Sequence, residues 1–367
     1  MPRIRIAPRC VAAASLLLAA RPVPAADVLA LYPYETQQAA DGVYVFTEPR
    51  LHPIVSGNVT AIVGDDQVLV FDTGHHPTVS RHIIADIRRL TGKPIRYVVN
   101  SHWHDDHWAG NAEFAAAYPG VTVIAQRFTA RMIEGRRDAF AGEACRRELA
   151  PELAKYREMA ATHKRPDGSA MTAESVERVQ AAVPEFEAES EECGRKRYRG
   201  VDLAFDHELD VRLGRRLVRL MFLGRANTAG DVVAYVPDAK LLLTGDVLVA
   251  PFPFATQSYI SEWATVLREL EHMDAAVIVP GHGPVMRDKR YLTSIAELME
   301  ALSRQVRAAY QPGLSVDDVR GRVDVAEFRA RLCGTDKMLQ ANFDYMILQS
   351  AVQRAYEEVT GTLVPEG

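Results

Sequence analysis

The stretch "IRYVVNSHWHDDHWAGN", residues 95–111, constrains this chain most. A β-branched strand runs straight into a loop that holds His102, His104, Asp105, Asp106 and His107 within six residues. Imidazoles and carboxylates at a strand end suit zinc, which needs several donors converging on a small tetrahedral or five-coordinate ion. His102 and His104 alternate, so on an extended backbone they point the same way. Asp106 and His107 follow once the chain turns and face a second point nearby, so the spacing favours two adjacent sites. Any one of these histidines taken alone is more simply a packed or surface residue. Three of them beside carboxylates are not.

Around that loop the chain alternates between strand and helix signals. "GVYVFTE", "NVTAIVGDD" and "QVLVFDTG" read as short strands. Val79, Ile83, Ile84, Ile87 and Leu90 then recur at helical spacing until Gly92 and Pro94 stop them. Residues 126–199 are charged, β-poor and helix-favouring, with a break at Arg165–Ser169, and read as a helical insertion or lid that shapes the pocket. Strands resume from "DLAFD" to "KLLLTGD", a helix follows at "SEWATVLRELEHM", and "AAVIVPGHGPV" is a short buried strand ending in a glycine-rich turn. From Tyr291 the tail is helical, with Ile295, Leu298, Met299, Leu302 and Val306 in one stripe and Phe343, Ile347, Ala351 and Ala355 in another. Successive strand runs with attached helices suggest sheets covered by helices on both outer sides.

The N-terminus does not belong to this pattern. Three arginines precede an apolar run, "CVAAASLLLAA", and "VPAAD" offers small residues for cleavage after Ala25 or Ala26, so residues 1–25 read as a signal peptide. The run falls well short of the ~20 residues needed to span a bilayer. Loss of Arg3, Arg5, Arg9 and Arg21 takes the formal charge from −5 to −9, which argues against nucleic acid or anionic membrane as a partner. Export to the periplasm or beyond permits a disulfide. Cys145 and Cys193, in one helical stretch with a turn between them, are the favoured pair, against three separate buried thiols with Cys333. His75 and His76 begin a helix, where capping or surface exposure accounts for them.

The loop matches the His-x-His-x-Asp-His pattern of the metallo-β-lactamase superfamily, and other elements follow in that family's order. They are "VLVFDTG" with Asp72, "TAGD", "LLLTGD" with Asp246, and "VPGHGP" with His282. The chain resembles that superfamily over residues 42–285. The resemblance implies an α/β fold, the αββα sandwich, in domain terms a unit at 26–290 with a helical extension at 291–367. It implies one zinc on His102, His104 and a third histidine, and another on Asp106, His107 and His282. Asp246 would bridge the two, and Asp72 would hold a ligand by hydrogen bond.

One position departs from the pattern. The family's third histidine stands just before Thr/Ser-x-Gly-Asp, and here that residue is Asn227, whose amide oxygen is a weaker zinc ligand than imidazole. Three arrangements stay open: two metals with the first held loosely by His102, His104 and Asn227; one metal on Asp106, His107, His282 and Asp246; or a decayed site. One tight zinc ranks first and decay last, since every other ligand position is filled. Mononuclear iron is disfavoured, because the histidine-rich first position is the damaged one.

The expected chemistry is hydrolysis. Zinc lowers the pKa of bound water to near neutrality, and the resulting hydroxide attacks a carbonyl. Asp106 would orient it, and with a single metal His102 or His104 would act as base. Trp103, Trp108, Phe252, Phe254 and Tyr259 are candidate walls for a small-molecule pocket. β-Lactam, lactone and ester substrates all remain open, as does oligomeric state. No Gly-x-Ser-x-Gly elbow or Gly-x-Gly-x-x-Gly turn supports a serine hydrolase or a dinucleotide site. The competing reading is a non-catalytic exported protein that binds metal or a partner on the same fold.

Overall fold

The computed structural model describes residues 25–49 and 53–364. The expected signal peptide lies outside them apart from Ala25, where a short helix, Ala25–Leu31, begins. Among the described residues twelve strands form two sheets. The first holds, in spatial order, β1 (Glu35–Ala40), β2 (Val43–Thr47), β3 (Val59–Val63), β4 (Val68–Phe71), β5 (Ile95–Asn100), β6 (Thr122–Gln126) and β7 (Leu203–Phe205). It is antiparallel as far as β4 and parallel from β4 to β7. The second runs β12 (Val277–Val279), β11 (Leu241–Leu243), β10 (Val233–Val236), β9 (Arg216–Met221) and β8 (Glu208–Leu213), with only β11 and β12 parallel.

Period-two alternation explains how the layers stack. Leu69 and Phe71 of β4 and Ile62 of β3 face Leu241, Leu243, Val277 and Val279 in a core between the sheets. Their neighbours Val68, Val70 and Ala61 point the other way, onto Ile83, Ile84 and Ile87 of the helix Pro77–Thr91. On the second sheet, Val233, Leu242 and Ile278 point outward onto Trp263, Leu267 and Leu270 of the helix Ile260–His272. Each central strand is therefore buried on both faces, and the αββα sandwich is the result.

Both expected C-terminal stripes, Ile295 to Val306 and Phe343 to Ala355, join that last core, so the tail extends the outer helical layer. The insertion comprises Arg127–Gly135 and an antiparallel pair, Gly142–Thr162 and Ala173–Arg195, joined by Cys145–Cys193 with Cα atoms 5.6 Å apart. Cys333 is buried and free. The pair packs against the first sheet's outer layer, where Tyr32 donates to the Glu185 carbonyl at 2.9 Å. Among the described residues no helix is long and apolar enough to cross a membrane.

Candidate metal centre

Parallel strands ending at one edge place the candidate ligands together. β4 ends at Phe71, and Asp72 follows in the left-handed region at φ 61°, a conformation that aspartate tolerates better than most residues. Its carboxylate then meets the end of the neighbouring β5. One oxygen accepts from Ser101 N–H at 2.7 Å, and the other from Ser101 Oγ–H and His107 Nδ1–H, both at 2.8 Å. With its proton fixed on Nδ1, His107 presents the lone pair of Nε2. Two glycines allow close approach. A Cβ at Gly57 would lie 2.4 Å from the His107 ring, and one at Gly281 would lie 2.0 Å from Asp246 Oδ1. Asn58 secures the His282 turn by donating to the Pro280 and Gly283 carbonyls, both at 2.9 Å.

Four donors converge beside His107. His107 Nε2 lies 3.2 Å from His282 Nε2, 3.3 Å from Asp106 Oδ2 and 3.2 Å from Asp246 Oδ1. His282 Nε2 lies 3.1 Å from Asp106 Oδ2 and 3.5 Å from Asp246 Oδ1. Four ligands about 2.0 Å from a tetrahedral zinc stand roughly 3.3 Å apart, so these separations fit that ion. Asp106 Oδ2 and Asp246 Oδ1 are buried without a hydrogen-bond partner, and no lysine or arginine among the described residues pairs with either carboxylate. A divalent ion fits this donor set.

The second group is sparser. His102 Nε2 and His104 Nδ1 face each other at 2.9 Å, and Asp246 Oδ2 lies 3.7 Å from His102 Nε2. Asp246 thus turns one oxygen toward each group. Asn227 is buried, and neither amide atom has a hydrogen-bond partner. Its turn is held by other residues: Asp231 accepts from Thr228 N–H at 2.7 Å and from Thr228 Oγ at 3.0 Å. The Val232 N–H bond to the Ser101 carbonyl, 2.7 Å, ties this turn to the histidine loop.

Burial alone would depress the His107 pKa, but Asp106, Asp246 and Asp72 outweigh it and push the imidazole well above its ordinary value. Burial likewise opposes ionisation of Asp106 and Asp246, yet the neighbouring histidines, His107 foremost, hold both below the usual carboxylate range. His102 is driven well below its usual value by burial and then by His107. The centre is accordingly a nest of ionised carboxylates beside neutral His102, in which protons held on His107 and His282 supply the charge that a metal ion would replace.

The expected pocket walls divide. Trp103 sits edge-on to His104 at 4.8 Å between centroids, and Phe254, 40% exposed, lies 6.0 Å from the same ring. Trp108, Phe252 and Tyr259 do not line the site. Trp108 is fully buried on Phe140, Phe252 packs edge-on to Phe343, and Tyr259 is 1% exposed. Trp108 and Phe252 pack on aromatic partners, and the Tyr259 ring lies under the Arg225 guanidinium, 4.2 Å from its centroid. A cleft of about 530 Å³ opens beside His282, lined by Gln37, Glu48, Val55, Pro251 and Leu339 among others. No residue of the insertion lines this cleft; the insertion meets the histidine loop instead, with Arg136 3.2 Å from the Asp105 carboxylate.

His75 and His76 also depart from expectation. His76 occupies the N-cap position but its side chain makes no capping bond, and neither histidine is exposed; His76 is fully buried, stacked on Tyr32 at 3.8 Å. The helix N-terminus is served by Glu192, which accepts from Thr78 N–H at 2.8 Å and from Thr78 Oγ at 2.7 Å. Glu189 lies 2.9 Å from His75 Nε2 and 3.2 Å from His76 Nε2. Lys196 Nζ completes this cluster, 2.6 Å from Glu189 Oε1 and 3.1 Å from His75 Nε2. Sequence separation hid it, since Glu189 and Lys196 come from the insertion. Gln257 and Asn58 were missed for want of any local signal.

A family model described as the metallo-beta-lactamase superfamily matches residues 52–282. Solved structures match the chain at low identity. DIM-1 metallo-beta-lactamase matches with a TM-score of 0.50 and 14% identity over 73% of this chain and 97% of its own. A metallo-beta-lactamase from Pontibacter korlensis matches with a TM-score of 0.49 and 19% identity over 73% and 99%.

Proposed function

The chain belongs to the metallo-beta-lactamase superfamily, and on that premise we propose that it is an exported zinc-dependent hydrolase of a small carbonyl substrate, a β-lactam, lactone or ester. The observation that supports this most is the convergence of His107, His282, Asp106 and Asp246 with two orphaned carboxylate oxygens and, among the described residues, no lysine or arginine paired with them. One zinc held tightly there, with a weaker place at His102, His104 and Asn227, accords with four donors against three. The Cys145–Cys193 bridge and the N-terminal pattern favour an oxidising compartment.

Zinc at such a set supplies an acidified water and polarises the substrate carbonyl. The protein's own groups do the rest. Asp72 keeps the proton on His107 Nδ1, so Nε2 stays a donor. Asp106, with its side chain 15% exposed, would orient the attacking water, and with a single metal His102 or His104 would take its proton. Trp103 and Phe254 flank His104 on the way in and limit water at the reacting carbonyl.

Elemental analysis of purified protein, joined to a hydrolysis panel of β-lactam, lactone and simple ester probes with and without chelator, tests the reading. Chelator-sensitive turnover of one class is expected. A protein that binds metal and turns over none of them is instead a binding protein.

A further inference from the structure

Gln257 stands where no regular element would hold it, in the segment between Asp246 and the helix Ile260–His272. Its Oε1 lies 2.8 Å from His104 Nε2. An amide oxygen only accepts, so the His104 proton sits on Nε2 and the lone pair of Nδ1 turns toward His102. On the other side, His102 Nδ1 is 3.0 Å from Ser101 Oγ, whose own hydrogen goes to Asp72 at 2.8 Å. His102 therefore also presents a lone pair, at Nε2. Two lone pairs opposed at 2.9 Å repel unless a cation lies between or beside them.

The segment is gripped from the C-terminal extension. Arg354, 8% exposed on the helix Val352–Thr360, donates from Nε to the Ser258 carbonyl at 3.0 Å and from a terminal nitrogen to the Gln257 carbonyl at 3.3 Å. Glu358 of the same helix accepts from Ser261 N–H at 3.1 Å. Two residues past Gln257, Tyr259 N–H bonds to the Ala226 carbonyl at 2.9 Å, beside Asn227. Arg354 lies well beyond residue 282, where the family match ends.

We propose that Gln257 is a positioning residue that sets the His104 tautomer for the first metal place, and that Arg354 holds Gln257 there. A site with two imidazoles in place of three depends more on having each one already aimed. The inference rests on the reading that His102 and His104 hold an ion.

The test uses full-length Gln257→Leu, Gln257→Glu, Arg354→Met and His102→Ala. Nitrogen-15 NMR of the metal-free proteins reads the His104 tautomer, and cobalt titration followed by visible absorption reads the affinity of each place. Wild type and Gln257→Glu keep the proton on Nε2. Gln257→Leu mixes the tautomers and weakens the first place by about 10–100-fold, leaving the second unchanged. Arg354→Met shifts both readouts the same way by less, and if it fails to fold, half-buried Gln257→Leu decides alone. An unchanged tautomer and affinity in Gln257→Leu overturn the proposal. If cobalt binding responds to His102→Ala but not to Gln257→Leu, the metal reading stands and the proposal falls. If it responds to neither, both fall.

Discussion

Two of the buried histidine–carboxylate clusters among the described residues differ in where the positive charge comes from. At His75, His76 and Glu189 it comes from the protein, because Lys196 Nζ sits 2.6 Å from the carboxylate and 3.1 Å from an imidazole. At His107, His282, Asp106 and Asp246 no ammonium or guanidinium pairs with the carboxylates among the described residues. Similar donor chemistry thus serves as a fastening in one place and offers a candidate cation site in the other. The lesson is that histidines near carboxylates do not by themselves mark a metal centre. A resident lysine decides against one.

The sharpest way to break that comparison is to remove the lysine. Lys196→Met takes the ammonium from buried Glu189 and leaves it only the two imidazoles, which costs about 3–5 kcal/mol of stability. His75, His76 and Glu189 would then offer two imidazoles and a carboxylate, a known zinc ligand set. Thermal melts in chelator are expected to show the loss, and added zinc to restore part of it with extra metal bound. A variant as stable as wild type and indifferent to zinc would mean that Lys196 is not the cation this cluster depends on.

Acid probes the same cluster more gently. Burial pushes His76 down to about 4, with His75 and Lys196 acting in the same direction and Glu189 opposing. The unfolded residue titrates near 6.5, so between roughly 4 and 6.5 the unfolded chain binds more protons than the fold. The contribution is therefore complete above pH 6.5 and is lost as pH falls to about 4, a total of about 3 kcal/mol. Urea melts across that range, compared with those of His76→Gln, should show the slope in wild type and its absence in the variant. Parallel profiles would contradict it.

How much of this could be read beforehand depended on how local the determinants are. β2 to β12 carry short apolar runs bounded by turn residues, and the sandwich follows from burying both faces of their central members. β1 gave no signal, because Glu35, Thr36, Gln37 and Gln38 are exposed on an edge strand with no apolar alternation. The donors His102 to His107 are contiguous, and Asp246 and His282 follow strands in recognisable turns, so they could be named from sequence. Gln257, Asn58 and Lys196 act across long chain separations and sit in unremarkable local sequence. The aromatic residues failed for a related reason: whether Trp108 faces a pocket or Phe140 is decided by tertiary packing.

The smallest change sharpens the metal side of the comparison. Asn227 does not make its own turn; Thr228 and Asp231 do. Its amide is buried with both polar atoms unpaired, and leaving such a group unsatisfied costs about 1–3 kcal/mol. A bound ion or water at the amide would relieve that cost. Imidazole is the stronger zinc ligand. Asn227→His should therefore raise metal content toward two per chain, read by elemental analysis after gel filtration, without disturbing the turn. Should wild type already carry two tightly held ions, the amide suffices as a ligand, and the ranking of one tight site over two is wrong.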